Sequence, residues 1–179
     1  MREGCDKKSA SARMRRVTAC FLCVLLMLTA GCGSKKEKEQ AAMTGSCTLS
    51  ISCATILDNM NDLKSGKSEF VPSDGWILEP TEVAFAEGES VHDILQRVCR
   101  EKKIQMESSF TPAYNSAYVE GINNLYEFDC GKLSGWMFSV NDWYPNYGCS
   151  KYTVKQGDEI CWVYTCDLGK DVGDDSMSQ

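Results

Sequence analysis

Gly135-Trp136-Met137-Phe138-Ser139-Val140-Asn141 and Gly157-Asp158-Glu159-Ile160-Cys161-Trp162 are the two stretches whose reading decides the fold. Trp136, Phe138 and Val140 fall on one face at a period of two, and Ile160, Trp162 and Tyr164 do the same further on. That period marks β-strands with one buried face. Between them lie an aromatic loop, a short extended piece around Tyr152 and a tight Gly157-Asp158 turn. The C-terminal third is therefore a β-rich module, and it carries no catalytic motif.

Upstream, Cys47-Thr48-Leu49-Ser50-Ile51-Ser52-Cys53 alternates strictly, with hydroxyl residues opposite the apolar ones, and reads as a half-buried strand. Residues 55–63 predict a short helix, and 64–74 a loop with turn chemistry at Gly66 and Pro72. A second strand is expected over 81–86, then a turn at Glu87-Gly88. Ser90 with Asp93 three positions later is a variant capping box that opens a helix. Val91, Ile94, Leu95, Val98 and Cys99 give that helix one apolar face to lay on a sheet. Strand, connection, strand, one main helix and several strands is the order of an α+β, β-grasp-like domain with a small mixed sheet.

The first residues speak to location. Arg13, Arg15 and Arg16 precede an uncharged apolar run from Val17 to Leu28, which ends in Leu28-Thr29-Ala30-Gly31-Cys32. The run is shorter than the roughly 20 residues a membrane-crossing helix needs. It resembles a bacterial lipoprotein signal occupying 1–31, which implies cleavage before Cys32 and lipidation of that cysteine. Two or more acyl chains anchor stably, at about 0.8 kcal/mol per buried methylene. Residues 32–46 are polar and charged and are expected to be a flexible tether reaching at most about 50 Å. The folded domain is expected over 47–169, followed by an acidic disordered tail over 170–179. The expected location is the extracytoplasmic face of a bacterial cell membrane.

The whole chain carries −6. The leader takes six Lys/Arg and two acidic residues from totals of 19 and 25, leaving 13 and 23, a charge near −10. Such a surface repels phosphate backbones, so nucleic acid is excluded as a partner. Of eleven cysteines, seven lie beyond Cys32: Cys47, Cys53, Cys99, Cys130, Cys149, Cys161 and Cys166. Outside the cytoplasm that number suggests disulfides, with Cys130 and Cys149 as one candidate pair closing the segment around the aromatic loop. Reduced core thiols are the alternative where oxidant is scarce. Beyond Cys32 there is no Cys-x-x-Cys pair and only a single histidine, which argues against zinc. His92, beside Asp93, has no indicated nucleophile partner, and phosphate loops, nucleophile elbows and His-Glu-x-x-His are absent from the sequence. The expectation is a non-enzyme with no catalytic, metal or cofactor residues. Asp167 to Asp175 lacks the alternate-position ligands of a calcium loop.

The binding candidates are aromatic. Trp143, Tyr144, Asn146 and Tyr147 surround Pro145 outside strand periodicity, with Tyr114 and Tyr118 as an extension from the preceding segment and Trp136 as a neighbour better suited to the core. So many rings in one loop either fold back over the sheet edge or form a recognition surface. Gly135-Trp136, Val140-Asn141, Tyr152 and Gly157-Asp158 make the chain from about Val83 to Gly169 resemble the transcobalamin-like C-terminal domain family. In cobalamin carriers the related domain covers one face of the corrin while a larger helical domain covers the other. The resemblance implies non-catalytic ligand binding, with cobalamin or another corrinoid as the candidate ligand and an uptake transporter as the receiving partner. A cell-surface protein-interaction or adhesion module is the alternative use of the same loop. Asp142 stands where a glycine would suit the turn better.

Overall fold

The computed structural model describes residues 42–174, and the signal, Cys32 and the last five residues lie outside them. The alternation at Cys47, Leu49 and Ile51 produces β1 (Met43–Ser52), with all three side chains buried. It begins inside the stretch expected to be tether. Gly45 is part of the reason, because it pairs with Phe85 and a side chain there would collide with the Phe85 ring. A short helix α1 (Ala54–Asp58) follows, ending earlier than the sequence suggested.

β2 (Trp76–Ala86) runs antiparallel to β1 and tolerates Pro80 because it is an edge strand. Next comes α2 (Val91–Lys102), opened by the expected capping box. Asp93 N–H donates to Ser90 Oγ at 3.2 Å, and Ser90 N–H donates to Asp93 Oδ2 at 2.9 Å. Its five apolar residues are all buried.

A second sheet was not distinguished in the sequence: β3 (Met106–Thr111), β4 (Ser116–Ile122) and β5 (Leu125–Tyr126), in that order and antiparallel. The β4–β5 link is Asn123-Asn124, both with positive φ, the pairing that suits a tight hairpin. β6 (Gly135–Val140) and β7 (Glu159–Thr165) are the two strands read first. β7 pairs antiparallel with β6 and parallel with β1, giving a mixed four-stranded sheet ordered β2-β1-β7-β6. The fold is thus α+β, with one core shared by the larger sheet, α2 and the inner faces of β4 and β5.

After β7 the chain does not fray at once. Lys170–Val172 forms a 3-10 turn, and the Asp171 carboxylate accepts from Cys166 N–H at 2.6 Å and from the Thr165 hydroxyl. Part of the acidic segment expected as a disordered tail therefore caps the end of β7. Among the described residues no helix is long and apolar enough to cross a membrane.

Candidate functional site

The loop after β6 turns on Asn141-Asp142, both at positive φ, with Val140 and Trp143 exchanging backbone hydrogen bonds of 2.9 and 3.0 Å. Asparagine and aspartate tolerate this left-handed turn, so the glycine is dispensable at position 142. Asn141 Nδ2 donates to Asp158 Oδ1 at 3.0 Å, and its Oδ1 accepts from Glu159 N–H at 2.9 Å. Val140-Asn141 and Gly157-Asp158 are thereby one locked corner from which the aromatic loop departs.

At its far end the loop is pinned to β4. Ser150 Oγ lies 2.9 Å from Ser116 Oγ and accepts from Ala117 N–H at 2.9 Å. Gly148 passes so close that a Cβ there would fall 1.8 Å from Ser116 Oγ. Between the loop and the β3–β4 hairpin opens a groove of about 340 Å³, walled by Tyr114, Tyr118, Pro145, Asn146 and Tyr147. A second groove, of about 520 Å³, shares Tyr118, Pro145 and Asn146 with the first and continues over Phe128, Leu133 and Leu168. Both volumes fall in the range usual for small-molecule sites.

Four of the sequence candidates, Tyr114, Tyr118, Asn146 and Tyr147, meet in the first groove. Trp143 stands outside its lining, edge-on to Tyr147 with ring centroids 6.0 Å apart, and is 52% exposed. Tyr144 turns the other way, its hydroxyl donating to the Val172 carbonyl at 2.9 Å, so it ties the loop to the last turn. Trp136 is a core residue, packed edge-on against Tyr164 with its Nε1–H donating to the Leu125 carbonyl at 2.8 Å; it reaches only the floor of the second groove. Burial, and then the carboxylate of Glu127 that accepts its hydroxyl at 2.6 Å, pushes the Tyr118 phenol well above its ordinary range. Tyr118 is therefore a neutral, oriented ring at neutral pH.

Sequence reasoning missed Phe128, Leu133 and Leu168. Phe128 and Leu168 are exposed, yet both sit at positive φ, a conformation that costs a bulky residue about 1–2 kcal/mol. They are held there by N–H donation from Phe128 to Ser134 O and from Leu168 to Leu133 O, each 3.0 Å. The available signal was a large apolar residue beside turn chemistry, as in Glu127-Phe128-Asp129-Cys130-Gly131 and Asp167-Leu168-Gly169. Asp129 fixes the Phe128 segment. Burial alone would raise its carboxyl, but the Tyr126 N–H and the ammonium groups of Lys67 (3.0 Å) and Lys64 (3.2 Å) outweigh it and hold the group below its usual range.

Cys130 and Cys149 do not pair. All seven cysteines of the described residues carry free thiols. Cys130 Sγ donates to the Asn59 carbonyl at 3.3 Å, whereas Cys149 Sγ faces the Ala117 carbonyl at 3.5 Å. Closing the aromatic segment falls instead to the Ser150–β4 hydrogen bonds. His92 Nε2 lies 3.0 Å from Ser108 Oγ. Among the described residues no three His, Cys, Asp or Glu side chains gather as a metal site requires.

Residues 88–166, from the turn before α2 to the end of β7, match the family described as Domain of unknown function (DUF4430). No curated protein matches the chain. Among solved structures the chain is similar to haptocorrin in complex with Cbi, with 11% identity and a TM-score of 0.48 over 71% of this chain and 27% of that one. It is also similar to a candidate metal binding protein from Ruminococcus gnavus ATCC 29149, with 12% identity and a TM-score of 0.41 over 68% of this chain and 97% of that one. The chain thus spans little more than a quarter of the haptocorrin chain.

Proposed function

We propose that this protein is a lipid-anchored, extracytoplasmic binding protein that captures a bulky organic ligand without transforming it and passes it to an uptake system. The observation that carries the reading is the pair of grooves that share Tyr118, Pro145 and Asn146 and are walled by aromatic and aliphatic side chains. Rigid rings with polar tips suit a ligand with a broad apolar face and a polar rim. The resemblance of the Tyr114–Gly169 region to the corrin-covering domain makes a corrinoid the first ligand to test. The leader before Cys32 supports the anchored location.

Titrating the protein with cobalamin and with cobinamide, followed by calorimetry and by the corrin absorption spectrum, tests the reading. Saturable one-to-one binding is expected, lost in Tyr147→Ala while the melting temperature holds. No heat and no spectral change at about millimolar ligand, an affinity weaker than about −4 kcal/mol, ends the corrinoid reading. A protein partner is the second reading, because exposed apolar surface runs past the grooves to Phe110 at the hairpin and to Trp143.

A further inference from the structure

Two thiols lie against the same turn of α1. Cys166 Sγ is 3.9 Å from Thr55 Oγ1, and Cys130 Sγ is 3.3 Å from the Asn59 carbonyl. Thr55 and Asn59 are one helical turn apart and directly joined, Asn59 Nδ2 donating to the Thr55 carbonyl at 2.8 Å. Each thiol is also among the groups that shift the other's ionisation, as neighbouring sulfurs do. Their backbones are held from both sides: Cys130 N–H donates to Ser134 Oγ at 3.1 Å, and Cys166 N–H to Asp171 Oδ2 at 2.6 Å. Cys130 is buried and Cys166 is partly exposed.

We propose that Cys130 and Cys166 form a disulfide site that joins the 127–134 loop to the end of β7. Both segments line the second groove, one with Phe128 and Leu133 and the other with Leu168, and they are already linked by Leu168 N–H to Leu133 O. The oxidant is a disulfide. The Cys166 thiolate, the more accessible one, attacks it, forming a mixed disulfide and releasing one thiol. Cys130 then attacks the Cys166 sulfur, the new S–S bond forms and the second thiol leaves, so two thiol protons and two electrons pass to the oxidant. Burial first, and then its thiol neighbour, pushes Cys166 up to about 12, and burial raises Cys130, which Asp62, Asp129 and Asp171 also face. The exchange is accordingly slow at neutral pH and faster in alkali, since the thiolate is the nucleophile.

The full chain, purified reduced, is incubated at pH 8.5 with oxidised glutathione, alkylated and digested without reductant. The expected product links the tryptic peptide ending at Lys132 to the one ending at Lys170, with fragmentation placing the bond on Cys166 and not on Cys161. Oxidation closes a long loop and raises the melting temperature by about 5–10 °C, a gain reversed by reductant and absent in Cys166→Ser. A bond from Cys130 to Cys149 or to any other cysteine overturns the proposal. So does full alkylation of both thiols after exhaustive oxidation of a chain whose near-ultraviolet circular dichroism shows it folded. Occupancy in the cell rests on the proposed extracytoplasmic location, but the mapping does not, so a failed corrinoid titration and a missing cross-link are separate results.

Discussion

At the scale of single residues, the two core tryptophans occupy opposite polar situations in similar apolar ones. Trp136 Nε1–H donates to the Leu125 carbonyl, whereas Trp162 Nε1–H is buried and has no partner among the described residues. Both are less than a tenth exposed and both pack on an aromatic neighbour, Tyr164 and Phe138 respectively. Replacement by phenylalanine removes about the same volume at each position. The difference between the two variants therefore isolates the hydrogen bond. Trp136→Phe leaves the Leu125 carbonyl short of a donor, while Trp162→Phe removes a group already unsatisfied. Urea unfolding should show Trp136→Phe less stable than Trp162→Phe by about 1–2 kcal/mol, and equal losses would mean that cavity terms dominate both. The sequence placed both rings in the core by periodicity but held no information about which indole would find a carbonyl, since Leu125 lies on the smaller sheet.

At the scale of elements, the groove exists because a loop is pulled onto a hairpin at one close crossing. Gly148 has an ordinary extended backbone, so the glycine is required by proximity to Ser116 and not by its φ. Gly148→Ala places a methyl where Ser116 stands and forces the loop off β4, breaking the Ser150 contacts. The expected cost is about 1–3 kcal/mol, typical of overpacking, and Ser116→Gly in the same chain should restore most of it. If the double variant is no better than the single one in thermal melts, the crossing is not the constraint. This geometry also explains what was legible in the sequence. β6, β7 and α2 have one clean apolar face each, and Ser90 with Asp93 announces the helix start, so these elements could be placed from the chain alone. β3 alternates only weakly and buries no residue fully, as Met106-Glu107-Ser108-Ser109-Phe110 shows, and the smaller sheet escaped for that reason. Within the loop, Tyr144 and Tyr147 are alike in the sequence. What separates them is the Val172 carbonyl, supplied by a segment that reads as a tail.

At the scale of the whole molecule, the family match and the folding unit differ in extent. Residues 88–166 contain α2, the smaller sheet, β6 and β7, but not β1 or β2. β1 is one of the two inner strands of the larger sheet, and Leu49 and Ile51, wholly buried, belong to the same core as Ile160 and Trp162. Removing residues 42–87 would leave β7 with β6 as its sole sheet neighbour and would expose a row of backbone donors and acceptors beside apolar side chains, the pattern of an aggregation-prone edge. The parallel pairing of Thr48 with Glu159 and of Ser52 with Val163 also means that the sheet closes only when the two ends of the domain meet. Such long-range pairing makes folding slow and the domain a single cooperative unit. A chain spanning 42–174 should unfold in one transition, whereas 88–166 alone should lack near-ultraviolet circular dichroism and elute as aggregate on gel filtration. A monodisperse 88–166 fragment with dispersed amide resonances would instead make the β1–β2 layer an accessory. The first groove, which draws all its lining from residues 111–151, would then be separable from it and testable for binding on that smaller chain, whereas the second also needs Leu168 and Asp174.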